Sequence, residues 1–324
     1  MKTENIINDT LNKIKQDNIT KEGGLKFLPV IDKVYYDDSL VLRFYIFLQA
    51  MVESPFSVSN KNLLLYVSSA KGYAQIAIET IAHNLCSCSG YTEDNPSSTF
   101  SRKMIEIVPM LLPFALSNDW EGTKKLLQTI VDSLNAKNCL IERGQHDAHI
   151  AWFSVKLLSN VLEFEIGRKP FYPNKKKFAP YQTILEEWDN EDLVEVDKMS
   201  FMLCELHLSS KEYHSRAFSW LFAREYSILL PYEVMIWLKL REYKGLKNPK
   251  TFSHPLMQTK LMKKLLRIDT NLPAPQSDLE LKLFLEEKVQ VMCPDNDVLI
   301  PEWLEGKNEP TPNNEDILPD DFMK

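Results

Sequence analysis

The sequence predicts an all-α protein made of stacked antiparallel helical hairpins, about 12 helices in all, and three observations carry that expectation. Glycine is scarce, nine in 324 residues, too few for the tight turns of sheet-rich and dinucleotide-binding folds. Apolar residues recur every three or four positions along much of the chain, the spacing of one helix face. The links between these periodic stretches are short and polar, which favours antiparallel neighbours.

The stretch that organises the rest is Phe218 to Met257. Trp220, Leu221, Tyr226, Ile228, Leu229 and Leu230 lead into Pro231, and Val234, Ile236, Trp237, Leu238 and Leu240 follow it. Two exposed helices would not be this apolar, so a buried helical hairpin is expected. Pro231 suits the first turn of the second helix, where its missing N–H would lack a partner anyway, and it pushes the preceding residue out of the α region.

From the N-terminus, Ile6, Ile7, Leu11 and Ile14 have helical spacing within Thr3 to Gln16. Ser39 to Val52 is a stronger helix that Pro55 closes, and Asn60 to Leu85 a long one loosened near Gly72. The polar run Ser87 to Ser98 reads as a loop. Phe100 to Leu116 is helical but interrupted at Pro109 and Pro113, each of which removes a backbone donor. Asp119, with a short side-chain acceptor just ahead of a periodic run, is the expected N-cap of the next helix. His146 to Phe164 follows, with Ile150, Phe153, Leu157, Val161 and Phe164 lining one face.

Gly167 to Pro180 then carries three prolines and five basic residues without an acid, the composition of a boundary. The expected organisation is a helical half at 1–166, a basic linker at 167–180, a second helical half at 181–293 and an acidic, partly ordered tail at 294–324. In the second half, helices are expected at Tyr181 to Trp188, Asp192 to Leu208, Ser210 to Tyr226, Pro231 to Tyr243, Pro255 to Leu266 and Ser277 to Val291.

Composition narrows the function classes. At 44% hydrophobic and 26% charged residues, the chain has the make-up of a water-soluble globular protein. No apolar h-region stands near residue 1 and no window reaches the roughly 20 apolar residues of a membrane span, so a cytoplasmic protein without membrane contact is expected. Cys86, Cys88, Cys139, Cys204 and Cys293 are odd in number and lack CxxC spacing, as expected of reduced core thiols. A formal net charge of −7 opposes nucleic-acid binding. The basic run Lys239 to Arg267 is accordingly read as a solvated face balanced by acidic segments.

Sites of chemistry are sparse. His146, Asp147 and His149 resemble a metal cluster, yet they are too few and lack HExxH spacing, so neither metal nor cofactor is expected. Cys204 and His207 share a helix face, but an apolar helix with one polar stripe explains them. Neither GxSxG nor a phosphate-cradling glycine loop occurs. What stands out instead is an acidic cluster, Glu186, Glu187, Asp189, Glu191, Asp192, Glu195 and Asp197, interleaved with Trp188. Charge complementarity and a buried aromatic are the usual means of docking a basic partner.

Leu229, Leu230 and Pro231, followed by the apolar helix through Leu240 and then Gly245, resemble the late helical region of the immunity 49 family. The resemblance covers the second half of the chain. The family belongs to the helical immunity proteins that protect bacteria from polymorphic or contact-delivered toxins. The resemblance implies a non-catalytic protein that binds a cognate toxin and blocks its active site or substrate path. The contacts would then be Glu186, Glu187, Trp188, Asp189, Glu191 and Asp192, or the tail around Trp303, Glu315 and Asp316. His254-Pro255-Leu256-Met257 is distinctive but is not assigned to that family. A helical scaffold or regulatory binding module is the second reading, and a metal-dependent enzyme using His146, Asp147 and His149 the third.

Overall fold

The computed structural model describes residues 3–9, 12, 67, 70, 71, 74, 108–135, 149–167, 175–217 and 228–268. Of the described part 75% is helical and none is β-strand, so it is all-α. In chain order come a 3-10 turn at Val108–Leu111, α1 (Leu112–Leu116), α2 (Trp120–Asn135), α3 (His149–Leu162), α4 (Lys175–Glu186), α5 (Leu193–Ala217), α6 (Tyr232–Tyr243), a second 3-10 turn at Pro255–Gln258, and α7 (Lys260–Leu265). Residues 3–9 are helical as well.

Helix α6 is the axis of the described core. Every residue from Glu233 to Arg241 is buried, as expected of a helix that is apolar on all sides. It packs on α1, α3 and α5, while α3 also packs on α2 and α4. Helices on both sides of segment 167–180 thus contribute to one apolar cluster. Full burial of a side chain such as Ile236 or Leu238 contributes about 1.5–3 kcal/mol. Pro231 is the N-cap, and its carbonyl accepts the N–H groups of Val234 and Met235 at 3.1 and 3.2 Å. At the other end Leu246 N–H reaches the Arg241 carbonyl and Gly245 N–H the Glu242 carbonyl, both at 2.9 Å. This reciprocal pair puts Gly245 in the left-handed region, φ +79°.

The α1–α2 corner is built the same way. Asn118, φ 53°, takes the left-handed position after α1, and Asp119 N–H returns to the Phe114 carbonyl at 2.9 Å. Asp119 then caps α2 as its sequence position predicts, accepting Gly122 N–H at 2.9 Å, while its other oxygen pairs with buried Lys71 at 2.5 Å. A Cβ on Gly122 would lie 2.7 Å from both Asp119 Oδ2 and Phe114 Cδ1. Alanine ordinarily gains about 1 kcal/mol over glycine inside a helix. Here it must displace a cap and a buried ring, so Gly122→Ala is expected to destabilise by about 1–3 kcal/mol. Urea unfolding measures the difference, and a stabilised variant would show that the corner is loosely packed.

Three expected element boundaries are corrected. Lys175 to Pro180, read as the end of a linker, forms the first half of α4, with Pro180 inside the helix. Asp192–Leu208 and Ser210–Tyr226 are not separated at Ser209. One helix runs from Leu193 to Ala217, and the Ser209 hydroxyl donates to the Leu206 carbonyl at 2.9 Å, so this serine bonds back along the helix rather than ending it. Pro255 to Leu266 is two elements, because His254 caps one start and Thr259 the other. The first helix of the apolar hairpin, the tail at 294–324 and the cysteines other than Cys204 lie outside the described residues. Among the described residues no helix is long and apolar enough to cross a membrane.

Candidate functional site

Of the four charged side chains in α6, Glu233, Lys239 and Arg241 are buried, each with a partner, so Lys239 and Arg241 do not belong to the solvated basic face that the sequence suggested. Arg241 is fully buried and spends its guanidinium on the chain around it. Nε donates to Asn248 Oδ1 at 3.1 Å, Nη1 to the Trp188 carbonyl at 2.8 Å, and Nη2 to the Asn190 and Lys247 carbonyls at 2.9 Å each. Trp237 Nε1–H donates to the same Trp188 carbonyl at 3.0 Å, and the guanidinium lies 5.7 Å from the Trp237 ring centroid. Burial pushes the Arg241 pKa down, while the charge of Asp189 pulls it up.

This network anchors the acidic turn between α4 and α5. Trp188 is half-buried against the core, whereas Glu186, Glu187, Asp189, Glu191 and Asp192 are exposed. Their backbone is bonded in place. Glu187 N–H reaches the Thr183 carbonyl, and Asn190 N–H the Glu187 carbonyl, both at 3.1 Å. Asp192 N–H meets Asn190 Oδ1, and Asp192 Oδ1 in turn caps Val194 N–H, both at 2.9 Å. Asp192 is therefore committed to starting α5. Trp188 contributes a pinned carbonyl and a half-buried ring rather than a free anchor. The exposed carboxylates flank Leu193 and Val194, the latter 62% exposed.

A second polar group lies deeper. His207 Nδ1 is 2.9 Å from Oε1 of Glu233, a residue only 1% exposed whose Oε2 is buried without a hydrogen-bond partner. Burial first, then the Glu233 charge, pushes the Tyr181 hydroxyl pKa up. Burial likewise raises the Cys204 thiol, with Glu233, Glu205 and Asp197 adding to it, so this cysteine is held as an unreactive thiol. Lys239 Nζ donates to the Ile268 carbonyl at 2.6 Å and pairs with Glu242 at 2.9 Å.

Of the metal candidates, His149 is buried on α3, stacked near Phe178 and Tyr181 with centroids 6.4 Å from each. His146 and Asp147 lie outside the described residues, as do Trp303, Glu315 and Asp316. Among the described residues no group of three or more His, Cys, Asp or Glu side chains could hold a metal ion. Sequence reasoning found the acidic turn but missed its brace and the His207–Glu233 pair. The available signal was charge inside an apolar helix, since Glu233, Lys239 and Arg241 each need a partner there. No protein-family model matches the chain, and no curated protein or solved structure matches it significantly.

Proposed function

We propose that this chain is a non-catalytic, cytoplasmic immunity-type protein that neutralises a toxin by presenting a fixed acidic surface to it. One observation supports the reading most: five exposed carboxylates, Glu186, Glu187, Asp189, Glu191 and Asp192, sit on a turn whose backbone is tied to a buried arginine and tryptophan. Charges held at fixed positions can match a basic site without the ordering cost that a mobile run would incur on binding. Many toxins of this kind act on phosphate-bearing substrates, whose place such a surface would take. About twelve helices, stacked as antiparallel hairpins, would supply the rigid support.

The test is co-expression with the product of the neighbouring gene, scoring growth and co-purification. Rescue is expected for the native chain. Reversing Glu186, Glu187, Asp189 and Glu191 to lysine is expected to weaken binding by on the order of 100-fold at low salt. Asp192 stays unchanged because it caps α5. Full rescue and native affinity in the reversed variant would remove this surface from the interaction. Failure of the native chain to bind the neighbouring product would count against the immunity reading itself.

A further inference from the structure

His254 begins the 3-10 turn Pro255–Gln258, and its ring is fully buried. Both ring nitrogens are committed. Leu256 N–H donates to Nδ1 at 3.1 Å, which fixes Nδ1 as the unprotonated nitrogen. The proton therefore sits on Nε2, which donates to Glu205 Oε1 on α5 at 3.0 Å. The same Glu205 oxygen accepts the Thr3 hydroxyl at 2.9 Å. Phe201 meets the ring at 77°, with centroids 4.9 Å apart.

Neutral imidazole fits this site, and imidazolium does not. A second proton can only go on Nδ1, where it would confront the Leu256 N–H donor. Turning the ring over changes nothing, because both nitrogens of the cation are donors. Burial, the largest effect, pushes the His254 pKa down, and His207 adds to this, while the bond and the charge of Glu205 pull it up. The balance favours the neutral ring.

The segment around His254 is tied to α5 by two acidic side chains. Ser253 N–H donates to Asp197 Oδ1 at 2.9 Å, and His254 reaches Glu205. Leu256 and Met257 then plug into the core, 0% and 2% exposed. The hydrogen bonds from Met257 N–H to the His254 carbonyl and from Gln258 Nε2 to the Phe252 and Ser253 carbonyls are internal to the segment, and only Thr259, which caps α7 by accepting Met262 N–H and Lys263 N–H, joins it to the next helix. The internal bonds would travel with the segment, with Thr259 as its hinge on α7.

We propose that Phe252 to Thr259 is an acid-released latch on α5, with His254 as its trigger: protonation of the ring breaks the cap on Leu256 and frees the segment while the α6 core stays folded. The sign follows from the lowered pKa. The open segment binds a proton that the closed one refuses, so closure is full above the ordinary histidine value, about pH 6.5, and weakens as pH falls below it. The titratable groups facing the ring are Glu205 and His207 on α5, with Asp197 beside it on Ser253.

Hydrogen exchange at the Leu256 and Met257 amides, corrected for intrinsic rates and followed from about pH 7.5 to about pH 5 on the full chain, tests this. Protection at both amides is expected to fall by up to about tenfold per pH unit below about 6.5, with Met235 to Leu240 unaffected. His254→Asn keeps an oxygen that can accept Leu256 N–H but does not titrate, so it should flatten the profile. A flat native profile overturns the proposal, as does an equal fall in α6. An equal fall in His254→Asn would transfer the effect to His207 or the carboxylates and also overturn it. Should that variant fail to fold, the comparison of the two segments in the native chain still decides.

Discussion

Replacing Arg241 with methionine is expected to lower the unfolding free energy by about 3–5 kcal/mol. Methionine retains much of the aliphatic volume but none of the donors, leaving the Trp188, Asn190 and Lys247 carbonyls and Asn248 Oδ1 without the guanidinium they share. Hydrogen bonds to a charged donor contribute about 1.5–3 kcal/mol each. The sum is reduced because Asn190 is half-exposed and water can replace part of what is lost. Lysine should rescue poorly, since its compact ammonium cannot span acceptors arrayed around a planar fork. Urea unfolding of the native, Arg241→Met and Arg241→Lys chains measures the effect. A loss below about 1 kcal/mol for methionine would mean that the network is ornamental.

The second large effect concerns His207 and Glu233. Removing the imidazole in His207→Leu leaves a carboxylate buried with neither oxygen bonded to the ring, at an expected cost of about 3–5 kcal/mol. Replacing both residues in His207→Leu/Glu233→Leu removes the stranded group as well, and stability should return to within about 1 kcal/mol of native. The pair stands between α5 and α6, where Tyr181 and Cys204 also feel the Glu233 charge. Apolar side chains of similar size suit those surroundings. A double-mutant cycle reads the coupling directly. Equal costs that simply add in the double variant would show that the pair does not act as a unit.

Much of this architecture is legible from local pattern. The unbroken apolar run around Pro231 identifies α6 as a buried helix, and the cap at Asp119 follows from one side chain ahead of a periodic stretch. Boundaries are less legible. Ser209 looks like a break but bonds back to the helix, and Pro180 looks like a linker residue yet is carried inside α4. At His254 and Thr259 the periodic pattern runs on while two caps divide the segment. The acidic turn is visible as composition, but its fixation is not. Its anchors, Arg241 and Trp237, lie 49 to 53 residues away along the chain, and such pairings depend on tertiary packing. Glu205 illustrates the same point: its two partners, Thr3 and His254, come from distant parts of the sequence.

On this reading the acidic turn is a fixed part of the α6 core rather than a solvated run of charge. Amide hydrogen exchange at Glu187, Asn190, Asp192 and Val194, whose N–H groups are all bonded, tests it most directly in the native and Arg241→Met chains. The native turn should exchange far more slowly than an unstructured peptide, and the substitution should accelerate these four amides at least tenfold. Native exchange at the unstructured rate, or rates indifferent to Arg241, would mean that the turn is not held by the α6 core.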